Sequence, residues 1–238
     1  MPQTGAARRP ESRGTPVQAG KIGPNAVIRL AEALDARCGR ATTARIFAQA
    51  GLSHRLAAPP EAMVEEAEVV ALHRAARAIL PARLFDEVAQ DAGERTARYL
   101  LEHRVPRPVQ RALRLLPAAL AARLLARAIA QHAWTFAGSG RFRIDHRRPL
   151  AFEIADGPLG RGLHTDAPAC GYFAATFEGL FRSLIHPEAR VRETACQATG
   201  APVCRFVASW PPGLTRRPRS HGDATWRGPQ LAAPPPSG

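Results

Sequence analysis

The sequence predicts an α+β fold: a helical N-terminal part followed by an antiparallel sheet with a packed helix. Three observations carry that prediction. Apolar residues recur at helical spacing from Pro24 to about His132. After Trp134 the period switches to alternation. A phenylalanine-faced helix then precedes two short alternating segments separated by Gly200-Ala201-Pro202.

Pro24 suits a first helical turn, and Val27, Leu30, Ala31 and Leu34 continue it to a stop near Gly39. Thr42 or Thr43 offers a cap for a second short helix reaching Ala50. His54 to Pro60 reads as a linker. Met63, Ala67, Val70 and Ala71 define a third helix, with Glu61, Glu65 and Glu66 early in it, where the helix dipole favours them. Pro81 interrupts, and Leu84, Val88 and Ala92 carry a fourth helix to about Leu101 through Gly93. Prolines 106, 108 and 117 punctuate the next stretch.

The segment from Pro117 to His132 is amphipathic. Leu120, Ala121, Leu124, Leu125, Ala128 and Ile129 cover one side, and Arg123 and Arg127 the other. Such a helix either lies on a membrane or turns its apolar side to the core with a solvated arginine edge. The core-facing reading is preferred. Phe142 and Ile144, then Leu150, Phe152 and Ile154, alternate with polar or small residues across a turn at Asp145 to Pro149, which reads as a β-hairpin. Gly157 to Gly162 is a loop. Asp166 and Pro168 suggest the start of a helix whose face carries Cys170, Phe173, Phe177, Phe181 and Leu184, ending near His186-Pro187. Arg190 to Cys196 and Val203 to Ala208 read as strands. Residues 1–20 and 210–238, rich in Pro, Gly, Arg and Ser, read as disordered tails around a helical region 21–133 and an α+β region 134–209 that together form one continuous domain.

Hydrophobic residues make up 45% of the 238, enough for a core, but aromatics are only 6%, so Ala, Leu and Val must supply most packing. The net charge is +13, and Lys21 is the sole lysine. The abundance of Ala, Arg, Pro and Gly is what GC-rich coding produces. With no helix-turn-helix, finger or ribbon motif, specific nucleic-acid binding is not expected. No apolar leader and no run of about 18 apolar residues occur, so a cytoplasmic chain without a transmembrane segment is expected.

No GxGxxG opens a helix after a strand, no phosphate loop carries its Lys-Ser/Thr, and neither GxSxG nor HExxH occurs. The cysteines say more. Cys196 and Cys204 flank the Gly200 turn, so a hairpin returns them close together. Glu193 lies three residues before Cys196, and Cys170 sits in the first turn of the preceding helix, where the dipole favours thiolate. Three thiolates and a carboxylate make a closed tetrahedral set of the kind structural zinc accepts. The alternative is that Cys170 is a small buried hydrophobe and Glu193 a solvated strand residue.

The run Glu193-Thr-Ala-Cys196-Gln-Ala-Thr-Gly200-Ala-Pro-Val-Cys204-Arg-Phe206 resembles the signature closing the 4-vinyl reductase domain. That domain is similar to the ligand-sensing domains of bacterial aromatic-responsive regulators and to a subunit fold of vesicle-tethering complexes. In the sensors a zinc is held by a Cys, a Glu and two further Cys, which match Cys170, Glu193, Cys196 and Cys204. Ile22-Gly23-Pro24-Asn25, followed by Ala26 to Leu34, is similar to the bacteriochlorophyll 4-vinyl reductases themselves. The resemblance covers about residues 21 to 209.

It implies handling of divinyl protochlorophyllide or a related Mg-tetrapyrrole and reduction of its 8-vinyl group (4-vinyl in older numbering), with NADPH as cofactor if the chain is the reductase. Two alternatives are a non-catalytic carrier that hands the pigment to a separate reductase or other pigment-synthesis enzyme, and a ligand-sensing module. Membrane association and a homodimer remain open. For the macrocycle, Trp134, Phe136, Tyr172 and Phe173 are candidate contacts, with arginine at the rim for its carboxylate, unless they are ordinary core. His132 and His164 are candidate Mg ligands, or ordinary surface histidines.

Overall fold

The computed structural model describes residues 20–211, and nearly all of both expected tails lies outside that range. The architecture is α+β. Helix α1 (Asn25–Cys38) buries Val27, Leu30, Ala33 and Leu34 and ends at Gly39, whose φ of 77° suits glycine. Helix α2 (Arg40–Gln49) starts directly after it. Neither Thr42 nor Thr43 caps α2. The Thr43 hydroxyl instead donates to the Gly39 carbonyl one turn back, as mid-helix threonine does. The expected linker at 54–60 contains one helical turn, α3 (Ser53–Ala57).

Strand β1 (Lys21–Ile22) pairs antiparallel with β2 (Val64–Glu65), so Glu65 belongs to a strand and Glu61 precedes it. Only Glu66, with Glu68, lies in the first turn of α4 (Glu66–Ile79). Pro81 leads into α5 (Ala82–His103). Pro106 and Pro117 lead into α6 (Arg107–Leu115) and α7 (Ala118–Gln131), the proline φ being suited to a helix entrance. A one-turn helix α8 (Trp134–Ala137) delays the switch to alternation.

Strands β3 (Arg141–Asp145) and β4 (Ala151–Ala155) form the expected hairpin, and β5 (Arg190–Ala195) and β6 (Cys204–Ser209) complete a four-stranded antiparallel sheet in the order β3-β4-β6-β5. Helix α9 (Gly171–Leu184) lies across it. Phe173 and Phe177 meet Phe206, Phe177 and Phe181 meet Phe152, and ring centroids stand 5.0–6.2 Å apart. Each such ring, fully buried, stabilises the fold by about 1.5–3 kcal/mol. Trp210, which the sequence put in the tail, lies against Phe181.

The other side of α9 meets α5, and small residues make the approach close. A Cβ at Gly179 would stand 2.5 Å from Ala97 Cβ, and one at Gly93 would stand 2.7 Å from Ala175 Cβ. Glycine inside a helix costs about 1 kcal/mol of propensity, so here the close contact outweighs it. Across the same seam Thr176 donates to the Gly93 carbonyl, and the Thr96 and Tyr172 hydroxyls lie 2.9 Å apart.

Candidate metal centre

Four donor atoms converge where α9 begins and the β5–β6 connection turns back. Sγ of Cys170, Cys196 and Cys204 and a Glu193 carboxylate oxygen all lie within 4.8 Å of one another. Cys204 Sγ stands 3.5 Å from Cys170 Sγ and 3.8 Å from Cys196 Sγ. A tetrahedron with metal–sulfur bonds of about 2.3 Å has edges of about 3.8 Å, so the spacing suits zinc. All three thiols are buried. Cys38, the remaining cysteine, is half-buried and stands outside the set.

Local structure explains the convergence. Cys170 is the residue before α9, not part of a first turn begun at Asp166 and Pro168. The segment before it is held otherwise: Thr165 N–H donates to the Ala198 carbonyl, and Cys170 N–H donates to Glu193 Oε2 at 2.8 Å. The carboxylate thereby satisfies a backbone donor at the helix start. On a regular strand, residues three apart face opposite ways, which would separate Glu193 from Cys196. A bulge resolves this. Glu193 pairs with Phe206 and Ala195 with Arg205, leaving Thr194 unpaired, so Glu193 and Cys196 share the inner face. A short 3-10 turn (Gln197–Thr199) and the left-handed Gly200 return the chain to Cys204.

The surroundings favour negative sulfur. Ala169 N–H donates to Cys196 Sγ and Gln197 N–H to Cys204 Sγ. Gly160 lies against the cluster, and a Cβ there would stand 3.2 Å from Cys204 Sγ. Arg77 of α4 donates to the Ala169 carbonyl and stacks 4.1 Å from the Phe85 ring centre. Burial lowers the Arg77 pKa, while the charges of Asp86, Cys170, Cys196 and Glu193 oppose that. Hydrogen bonds from Cys170 and Cys204 hold the Cys196 thiol well below the ordinary range, and the same bond with Cys196 pushes Cys170 up. Burial pushes the Glu193 carboxyl up to about 8. Its other oxygen, Oε1, is buried without a hydrogen-bond partner. An orphaned carboxylate oxygen beside three clustered sulfurs is the donor set of a metal site lacking only the cation.

The aromatic candidates do not gather around one opening. Tyr172 and Phe173 are 5% and 4% exposed within the core, whereas Trp134 is 61% exposed. Phe136 is half-buried against Phe142 and Phe177. His132 and His164 are exposed, and the His132 ring is engaged with the Ala128 carbonyl. A cleft of about 570 Å³ opens between α5 and α9, but Gln90, Glu94, Glu178 and Arg182 line it, a poor match for a flat apolar ring.

The 4-vinyl reductase domain family matches residues 150–209, which span β4 to β6 and hold all four donors. A protein of Cereibacter sphaeroides called bacteriochlorophyll synthase 23 kDa chain is 46% identical over 193 residues, covering 81% of this chain and 92% of its own. The chain belongs to the bacteriochlorophyll synthase 23 kDa chain family. The Rhodobacter capsulatus protein of the same name is 40% identical over 187 residues, covering 79% of this chain and 86% of its own. Sequence reasoning reached the four donors of this family member through spacing and resemblance. It missed Arg77, which lies 93 residues before Cys170 with no local signal, and Gly160, which it treated only as loop.

Proposed function

We propose that the chain serves bacteriochlorophyll biosynthesis by binding a Mg-tetrapyrrole, divinyl protochlorophyllide or a close relative, and delivering it to a separate pigment-synthesis enzyme. The observation that carries this is the 46% identity to a bacteriochlorophyll synthase 23 kDa chain over nearly its whole length. That relative's name makes it one chain of a synthase, which supports a partner enzyme. Zinc at Cys170, Glu193, Cys196 and Cys204 is structural in this reading. It ties α9 to the β5–β6 turn and leaves no open coordination position for substrate. Of the aromatic candidates, Trp134 and Phe136 are the accessible ones, and they are the contacts proposed for the ring.

The second reading is the 8-vinyl reductase, with NADPH as hydride donor, favoured by the resemblance of the closing Glu193-to-Phe206 signature. The carrier reading is preferred because the described sheet is wholly antiparallel, whereas the common dinucleotide crevice is built from parallel βαβ units. Purified chain titrated into a divinyl Mg-porphyrin separates the two. The expected result is a shift of the pigment absorption bands without NADPH, and little turnover when NADPH is added to the chain alone. Steady multiple turnover would restore the reductase. No band shift at micromolar protein would defeat both readings.

A further inference from the structure

Helix α7 does not bury the whole of its apolar side. Ala121, Ala122, Leu125, Ala126 and Ile129 face the core, but Leu120 and Leu124, one turn apart, are 46% and 45% exposed. The buried arc is rotated toward the alanines. Among the described residues, all five large hydrophobic side chains that stand exposed fall between Val109 and Trp134: Val109, Leu115, Leu120, Leu124 and Trp134. The same part of the chain has a second property. From Arg104 to Ile144 there are eight arginines and no Asp or Glu. Arg107, Arg111, Arg123 and Arg127 are exposed, and among the described residues none has an acidic partner within salt-bridge distance. Elsewhere the arginines that α1, α3, α5, β5 and β6 carry are commonly paired with carboxylates.

We infer that the α6–α8 face is a docking surface for an anionic lipid bilayer, which it enters with Leu120, Leu124 and Trp134 while Arg123, Arg127 and their neighbours meet lipid phosphates. Two physical arguments select this occupant. Side chains as exposed as Leu115, at 83%, and Trp134, at 61%, project from the surface and line no groove, so a partner protein would need pockets shaped for each. A fluid interface accepts them without shape complementarity. Tryptophan and arginine are also the residues that settle at the headgroup level, the indole by its mixed polarity and arginine by extending its stem to reach phosphate. Duplex nucleic acid would use the arginines but not the leucines. The inference shares Trp134 with the proposed pigment contacts but rests on the leucines and arginines, so it stands if no pigment binds.

The test is co-sedimentation of the full chain with vesicles of phosphatidylcholine alone and of phosphatidylcholine mixed with phosphatidylglycerol. The expected result is binding at least tenfold stronger to the anionic vesicles, with a blue shift of fluorescence that Trp134→Phe removes. Leu120→Ser with Leu124→Ser changes only exposed positions, so its circular dichroism should match wild type while vesicle binding falls at least tenfold. Arg123→Gln with Arg127→Gln should weaken anionic binding by about 25-fold, at roughly fivefold per arginine. Equal binding to both vesicle types, or to neither, overturns the inference. So does vesicle binding that survives the leucine changes. A homodimer that the leucine changes dissociate would make the face an interface between copies, and overturn it equally.

Discussion

Two glutamates deep in this fold, Glu66 and Glu193, differ in how completely the protein satisfies them. Glu66, 7% exposed at the start of α4, accepts from Ser139 N–H at 2.7 Å, the Ser139 hydroxyl at 3.1 Å and Arg161 at 2.6 Å. Its own N–H donates to the Gly20 carbonyl. It clamps the segment before β3 and the loop after β4 to the helical part. Glu193 accepts one backbone bond through Oε2, keeps Oε1 unpartnered and titrates near 8. A satisfied carboxylate is a structural joint. An unsatisfied one among thiols is a ligand. The difference separates a site finished by the protein from a site finished by a cation.

The largest way to break that comparison is Cys196→Ser. Protein purified without chelators should carry about one zinc per chain, and the variant close to none. If metal at about a thousandfold above its dissociation constant stabilises the native state by roughly 4 kcal/mol, the melting temperature should fall by about 10 °C. Unchanged metal content, or none in wild type, would mean the sulfur cluster is only core. Next comes Glu66→Ala, which strands the Ser139 N–H and the Arg161 guanidinium. A loss of about 3 kcal/mol in chemical denaturation is expected, with zinc content unaltered. A variant that lost zinc as well would show the two sites to be one coupled structure.

The smallest effect is the pH dependence of chelator-treated protein. The folded Glu193 pKa of about 8 lies above the roughly 4.3 of an unfolded glutamate. Between those values the folded state holds the proton more tightly. This contribution to stability is therefore complete below about pH 4 and is lost as pH rises through 8. Discounted for partial solvent access, the loss is about 2 kcal/mol. Glu193→Gln should flatten it. With metal present the slope should reverse, because protons compete with the cation for the carboxylate and thiols. A metal-free wild type with no Glu193-dependent slope would leave the carboxyl better solvated than its orphaned oxygen implies.

The helices were legible from apolar spacing, because each turns a single stripe of Ala, Leu and Val to the core. The donor set was legible because three of its members lie within twelve residues, Glu193 to Cys204. What remained hidden depends on tertiary contact. The bulge at Thr194 exists only in the pairing with β6, and Arg77 reaches the site only because α4 packs beside the start of α9. The α7 stripe looked like one apolar face, but its burial is decided by neighbouring elements, and Leu120 and Leu124 fall outside it. Tyr172 and Phe173 could be read as pocket or core with equal justice from sequence, since an aromatic on a helix face has the same spacing in both.

The glycine-lined seam between α5 and α9 bears on how the molecule comes apart. Gly93 and Gly179 let the two backbones approach so closely that α9 cannot leave the sheet without also leaving α5. A fragment limited to the family-matched segment, residues 150–209, would present to water the side of α9 that Ala92, Gly93 and Thr96 now cover. The family boundary at residue 150 is therefore a boundary of inheritance and not of cooperativity. The helical part is the other half of the same unit, and the two should be gained and lost in one step.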